Sequence, residues 1–218
     1  MPSKNSVKTY APNQMWHVYN RGVDGRDVFM DERDYAVFLS FFKLCLTPEM
    51  PETETLNALP LGLDVIRLRR LNLYKEVELV SYCLMKNHFH LQLFQYSEDS
   101  ISKLMRSIMT GYVMYFNNRQ ERTGRLFQGV YKASLIDSDA YWQHISRYIH
   151  LNPLDIAKDY KTYPYSSYKY YTAPPAPTWL QPGHVLDSFK QNEYASFVAN
   201  YVNHKSQVDD IKHLLADK

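Results

Sequence analysis

Two imidazoles flank one bulky apolar residue in the stretch Asn87-His88-Phe89-His90-Leu91-Gln92-Leu93. Side chains on a β-strand alternate between faces, so a strand here sets His88 and His90 on one face and Phe89, Leu91 and Leu93 on the other. A pair of neutral imidazoles at that spacing can hold one divalent ion and leave positions for a third protein ligand and for water or substrate. The same pattern also describes two ordinary polar-face histidines over a core strand. A second stretch, Ile145-Ser146-Arg147-Tyr148-Ile149-His150-Leu151-Asn152-Pro153, bears on that choice. On a helix Tyr148 and Asn152 share one face, one turn apart, and His150 points elsewhere. A phenol with a pKa near ~10 is a poor nucleophile at neutral pH, so tyrosine chemistry needs help. An ion on a scissile phosphate supplies it by polarising the phosphoryl group and offsetting charge in the in-line transition state. The amide oxygen of Asn152 suits a hard ion such as Mg²⁺ or Mn²⁺.

Several elements must position these groups. Met15 to Asn20 alternates as a strand that Arg21-Gly22 ends, and Asp31 caps a helix carrying Tyr35, Phe38, Leu39 and Phe42 at helical spacing. Pro48 stops that helix. Residues 48–64, with three prolines and a cluster of acids, read as a loop or an insertion. Glu78 to Met85 is apolar enough for a buried strand beside the histidine strand, with Lys86-Asn87 as the turn. Ser97 to Ser100 caps a helix with a stripe of Leu104, Ile108, Tyr112, Tyr115 and Phe116, ending near Asn117-Asn118. Tyr131 to Ile136 reads as a further strand. Asp137-Ser138-Asp139 then caps the helix bearing Tyr148, which Asn152-Pro153 terminates. The order argues for an α+β fold, a small, mostly antiparallel sheet with helices on one face. The stripe marks Tyr112 and Tyr115 as core residues, although they and Tyr141 are the rival nucleophiles. Tyr148 itself also fits a core tyrosine beside Tyr141 and Trp142.

At 218 residues the chain suits one main core and an extension. A formal charge of +2 with 22% charged residues points to no particular partner, but charge is sorted along the chain. Between Ile101 and Leu135 stand Lys103, Arg106, Arg119, Arg122, Arg125 and Lys132 against the single acid Glu121. That is either a solvated basic face or a surface that tracks phosphates. Cys45 and Cys83 lack Cys-x-x-Cys spacing and read as reduced core thiols. With no signal-like segment and no long apolar run, the expected location is cytoplasmic, away from the membrane. The 19 tyrosines fit either base stacking or an aromatic core edge. Residues 160–171 hold six of them, and 173–182 is proline-rich, a linker by composition ahead of an amphipathic helical tail.

The sequence resembles the single-tyrosine transposases of the HUH endonuclease superfamily, in particular the REP-associated tyrosine transposase group. The resemblance rests on Trp16-His17-Val18-Tyr19-Asn20-Arg21-Gly22, on Tyr82 through His90, on Gly124-Arg125-Leu126-Phe127-Gln128-Gly129 and on Arg147 through Pro153, with Tyr163-Pro164-Tyr165-Ser166-Ser167-Tyr168 trailing. It implies a ferredoxin-like catalytic domain over residues 1–172, in which residues 48–75 are longer than is usual and read as an insertion, with 173–218 as linker and tail. It further implies His88 and His90 as metal ligands, Asn152 completing the site where many relatives carry glutamine, and Tyr148 as nucleophile. The implied reaction is cleavage and rejoining of single-stranded, hairpin-bearing DNA through a covalent 5′-phosphotyrosine link, by a monomer or homodimer using Mg²⁺ or Mn²⁺. Arg21, Arg106, Arg119, Arg122, Arg125, Lys132 and Arg147 are then the expected DNA contacts. Two rival readings are a catalytically silent nucleic-acid-binding protein and a metal-dependent nuclease in which water attacks. The second wants a carboxylate beside the histidines, and neither motif contains one.

Overall fold

Four strands, β1 (Gln14–Arg21), β2 (Val77–Met85), β3 (His88–Gln95) and β4 (Lys132–Ile136), pair antiparallel in the order β2-β3-β1-β4. With helices α1 (Glu32–Leu46) after β1 and α2 (Ser100–Arg119) after β3, this is the βαββαβ order of a ferredoxin-like α+β sheet, as expected. The computed structural model describes residues 9–48, 71–157, 159–190 and 192–202. Residues 49–70 of the expected insertion at 48–75 therefore lie outside the described residues, as do the chain's first eight and last sixteen residues.

Asp31, in extended backbone, accepts from the amides of Arg33 and Asp34 and so starts α1 as an N-cap. Helix α2 begins differently from expectation. The residue before it is Asp99 at φ 64°, with no side-chain cap, and Ser100 instead gives its hydroxyl to Glu76 at 3.1 Å. Both helices lie on one face of the sheet. There Val18, Leu84, Phe89, Leu91 and Leu93 pack against Phe38 and Phe42 of α1 and Leu104, Ile108 and Tyr112 of α2.

The expectation of helices on one face holds for α1 and α2 only. Helix α3 (Asp139–Leu151), with the short α4 (Tyr168–Thr172) and α5 (Gly183–Leu186) and with α6 (Glu193–Val202), covers the opposite face. The reason is apolar residues on that face too. Met15, Val80, Cys83, Met85, Phe94 and Ile136 need cover, and Ile145, Ile149, Tyr194 and Val198 supply it. A register shift between Leu79 and Ser81 is part of this, because a bulge gives the second face one extra apolar residue, Val80.

The reading of the tyrosines as an aromatic core edge holds at 160–171, and the proline-rich 173–182, read as a linker, continues that edge. This segment closes the open edge of β2: Ser167 N donates to Tyr82 O, Leu84 N to Tyr165 O and Gln181 N to Leu79 O, at 2.8 to 3.0 Å. Tyr163 and Tyr171 donate their hydroxyls to the carbonyls of Leu84 and Val80, each at 2.8 Å. An exposed edge would present these groups to other chains; here they are satisfied internally. Tyr35 and Tyr165 stack at 3.5 Å, so many of the tyrosines serve the core.

Candidate active site

The face of β3 that carries His88 and His90 is the face on which α3 lies, and this brings the two motifs together. Tyr148 stands edge-on to His90, with ring centres 5.5 Å apart at 89°. His88 and His90 are themselves 5.1 Å apart at 87°. Asn152 ends α3 one turn after Tyr148, and its Nδ2 donates to Tyr148 O at 3.0 Å, which aims the amide by a bond that does not use its Oδ1. All four line a cavity of about 570 Å³ between the loop after β1, the β2–β3 turn and the end of α3.

The histidines are held from behind. The Nδ1–H of His88 donates to Asn87 Oδ1 at 2.6 Å, and Asn87 Nδ2 in turn donates to Gly25 O at 3.2 Å. That places the lone pair of His88 on Nε2. His90 is fully buried and its Nδ1 lies 2.9 Å from His17 Nε2, while its Nε2 has no hydrogen-bond partner among the described residues. Burial, then the neighbouring His17 and His88, hold the His90 imidazole well below the ordinary histidine range. His90 is therefore neutral at physiological pH and able to ligate. Burial likewise lowers His17 to about 3. An orphaned imidazole nitrogen, a second imidazole of fixed tautomer and an amide oxygen suit a hard divalent ion with oxygen and nitrogen ligands. Among the described residues no group of three or more His, Cys, Asp or Glu side chains is gathered that could hold a metal.

The rival tyrosines are removed from this site. Tyr112 is fully buried under the other sheet face, its hydroxyl donating to Val28 O, and burial pushes its phenol well up. Tyr115 on the same helix donates to Asp34 Oδ1 at 2.8 Å and is pushed up to about 12, first by burial and then by Asp34. Tyr141 is on α3 but 42% exposed, beside His144 and away from the cavity lining. His150 does point elsewhere: Nδ1 meets Tyr194 OH at 2.7 Å and Nε2 meets Ser167 Oγ at 2.8 Å, tying α3 to α6 and to the β2 edge.

The seven expected DNA contacts are not gathered on one surface. Arg21 lines the cavity, and Lys132 is close by, 5.8 Å over the ring of Tyr19, another cavity residue. Arg106 is exposed on α2, across the sheet from the cavity. Arg122 bonds Asn117 Oδ1 at 2.7 Å and Arg125 O at 2.8 Å, shaping the loop on which Arg125 is exposed. Two have partners within the fold. Arg119 grips Asp31 and Asp34, so its charge is already matched by two carboxylates at the start of α1. Arg147 is buried, its guanidinium 3.6 Å over the ring of Tyr201 and 4.3 Å over that of Phe197, with His144 Nδ1 at 2.7 Å. It fastens α6 to α3.

The structure adds residues that the motifs left without a role. His17 and Tyr19 share the imidazole face through strand alternation, and Tyr19 is the register partner of His90. Asp27 and Asp155 put carboxylates in the cavity wall, and Tyr201 and Val202 close it from α6. Alternation alone would have placed His17 opposite Trp16; its partner needed the strand order.

An antiparallel βαββαβ sheet defines an α+β protein, here with an imidazole pair and a helical tyrosine facing each other in one cavity. Residues 67–152 match the family model described as transposase IS200 like, a span that holds His88, His90, Tyr148 and Asn152. The resemblance to single-tyrosine transposases is borne out by that match. Among solved structures, a REP-associated tyrosine transposase bound to a REP hairpin shares the fold, at TM-score 0.55 and 13% identity over 81% of this chain and 90% of that one. A chain described as a candidate transposase from Deinococcus radiodurans R1 aligns at 17% identity over 66% of this chain and 94% of that one, with a TM-score of 0.30. No curated protein sequence matches the chain. No helix among the described residues is long and apolar enough to cross a membrane.

Proposed function

We propose that this chain is a metal-dependent single-stranded DNA endonuclease and strand transferase that forms a covalent 5′-phosphotyrosine intermediate through Tyr148 at hairpin-bearing repeat ends. The observation that carries the reading is the meeting of Tyr148, His88, His90 and Asn152 in one cavity from two distant stretches of sequence. The IS200-like family match supports the chemistry, and the REP hairpin held by a protein of the same fold supports the substrate class.

His88 and His90, each through Nε2, and Asn152 through Oδ1 would hold Mg²⁺ or Mn²⁺. When bound, such an ion supplies polarisation of the phosphate and charge compensation in the transition state. Tyr148 delivers its oxygen to phosphorus in line with the O3′ of the preceding nucleotide. The Tyr148 O–P bond forms as the O3′–P bond breaks, the phenol giving up its proton and the leaving oxygen taking one up as a 3′-hydroxyl. Bond type is conserved, so attack by a 3′-hydroxyl on the link can reverse the step and join a new end. Arg21 stands in the cavity wall where a phosphate clamp is wanted, and the half-buried Tyr201 offers a ring against which a base can stack.

Incubation with single-stranded hairpin DNA and Mg²⁺ or Mn²⁺ tests this. The native protein is expected to yield a denaturation-resistant adduct, and Tyr148→Phe none. An adduct with Tyr148→Phe shows that another residue attacks. The water-attack reading draws support from Asp27 and Asp155 in the cavity wall, the carboxylates that the motifs lack; cleavage by native protein without any adduct would establish it.

A further inference from the structure

We propose that His17 is a positioning residue, which fixes His90 in the tautomer that presents an Nε2 lone pair to a divalent cation. The inference rests on the metal-ligand role given above to His90. In the β1–β3 register Tyr19 faces His90 and His17 faces Gln92, so His17 is the diagonal neighbour of His90 on the same sheet face. Its ring lies 5.1 Å from that of His90 and nearly parallel to it, at 9°, and Nε2 meets His90 Nδ1 at 2.9 Å. Both rings are buried, and the far nitrogens, His17 Nδ1 and His90 Nε2, have no hydrogen-bond partner among the described residues.

One proton sits between the two rings, so two arrangements are available. In the first, His90 Nδ1–H donates to His17 Nε2 and His90 Nε2 carries a lone pair. In the second, His17 Nε2–H donates to His90 Nδ1, and the His90 proton moves to Nε2, where it cannot ligate. His88 has no such freedom, because Asn87 Oδ1 accepts only. Metal-bound imidazoles are ordinarily oriented by a carboxylate or carbonyl on the second nitrogen, which is the part Asn87 plays. His17 takes that part for His90, but as a neutral group that can both donate and accept. Ligation of a cation by His88 and His90 would need the Nε2 lone pair of His90, and so the first arrangement. Tyr148 stands edge-on to both rings, 6.0 Å from His17 and 5.5 Å from His90, so the same pair also sets the wall against which Tyr148 rests.

The test needs no DNA. Mn²⁺ binding to the full chain is measured by the loss of free-ion paramagnetic resonance, for native protein, His17→Phe, His17→Gln and His90→Ala. Removal of an outer-shell partner typically costs ~10–100-fold in metal affinity, and that weakening is expected for His17→Phe, which keeps the ring and loses the acceptor. His17→Gln, whose amide oxygen reaches the place of Nε2, is expected to recover most of the loss. Long-range ¹H–¹⁵N spectra of the imidazoles are expected to show His90 as the Nδ1–H form at saturating Mg²⁺ in native protein. A folded His17→Phe with native Mn²⁺ affinity, or His90 remaining Nε2–H at saturating Mg²⁺, overturns the proposal. Native affinity in His90→Ala also overturns it, together with the metal part of the functional reading. The expected cation behaviour without any Tyr148 adduct keeps His17 in this role and refutes only the cleavage reading. If His17→Phe does not fold, the spectra of the unsubstituted protein decide.

Discussion

Replacing Arg119 with methionine separates a structural cation from a DNA-binding one. Asp34 is a fully buried carboxylate whose Oδ2 accepts from Met30 N at 2.8 Å and whose Oδ1 accepts from Tyr115 OH and from Arg119. Without the guanidinium two neutral donors remain, and the buried charge loses its counter-ion. Breaking a buried pair in this one-sided way costs ~3–5 kcal/mol, and the lower end applies because Arg119 keeps 26% side-chain exposure. The second arm, to Asp31, adds less than ~1 kcal/mol, since that carboxylate is 47% exposed and screened by water. A loss of ~3–4 kcal/mol lowers the melting temperature of a chain this size by roughly 10 °C. Thermal unfolding measures it, and a double-mutant cycle with Asp34→Asn isolates the pair, which should couple by ~2 kcal/mol. A phosphate-contacting arginine behaves otherwise: stability stays level, and the salt slope of hairpin binding falls by about 1. A melting temperature within ~2 °C of native, together with that change of slope, refutes the structural assignment.

His88→Ala or His90→Ala is expected to abolish hairpin cleavage while most DNA binding survives, because phosphate contacts lie on other residues; normal cleavage by either variant removes the metal-site argument. Gly22→Ala is expected to destabilise by ~1–3 kcal/mol in urea titration, since a Cβ there would come 2.2 Å from Arg26 O in the turn that carries Arg21; an unchanged midpoint contradicts the geometry. Alkali is expected to unfold the protein near pH 11. Tyr82, Tyr112, Tyr171 and Tyr194 are all buried, and burial raises each phenol. A raised folded pKa gives stability that is complete below the unfolded value near ~10 and is lost as pH rises, about 1.4 kcal/mol per phenol by pH 11, or some ~6 kcal/mol for the four. Tyrosinate absorbance rising gradually through pH 11 with the fold intact disproves it.

Period and punctuation made the strands and long helices legible. His88 and His90 share a face because strands alternate, and Tyr148 and Asn152 share one because helices repeat near four, so both halves of the site were readable locally. Asp31 as a cap was readable too, since its side chain needs only amides two and three residues ahead. What local rules do not carry is charge pairing at a distance. Arg119 finds Asp31 and Asp34 some 85 residues back, and Arg147 finds Phe197 and Tyr201 about 50 residues ahead. A run of cations therefore looked like one basic surface until partners were known. Composition likewise described 173–182 as linker, whereas Leu180 bridges Leu79 and is buried in the core.

The second sheet face explains why the site can exist at all. A ferredoxin-like sheet covered on one side would leave His17, Tyr19, His88 and His90 in water, where imidazoles gain protons near neutrality and lose ligand capacity. Apolar neighbours on that face, Met15, Val80, Met85 and Phe94 among them, draw α3 down by burial, and α3 brings Tyr148 and Asn152 with it. The same cover dries His90 and His17 enough to keep them neutral. Arg147 and His150 hold α6 and the β2 edge against α3, which fixes the height of Tyr148 over the imidazoles. One layer of packing thus sets both the neutrality of His90 and His17 and the place of Tyr148, and a loosened α3 should weaken the two together.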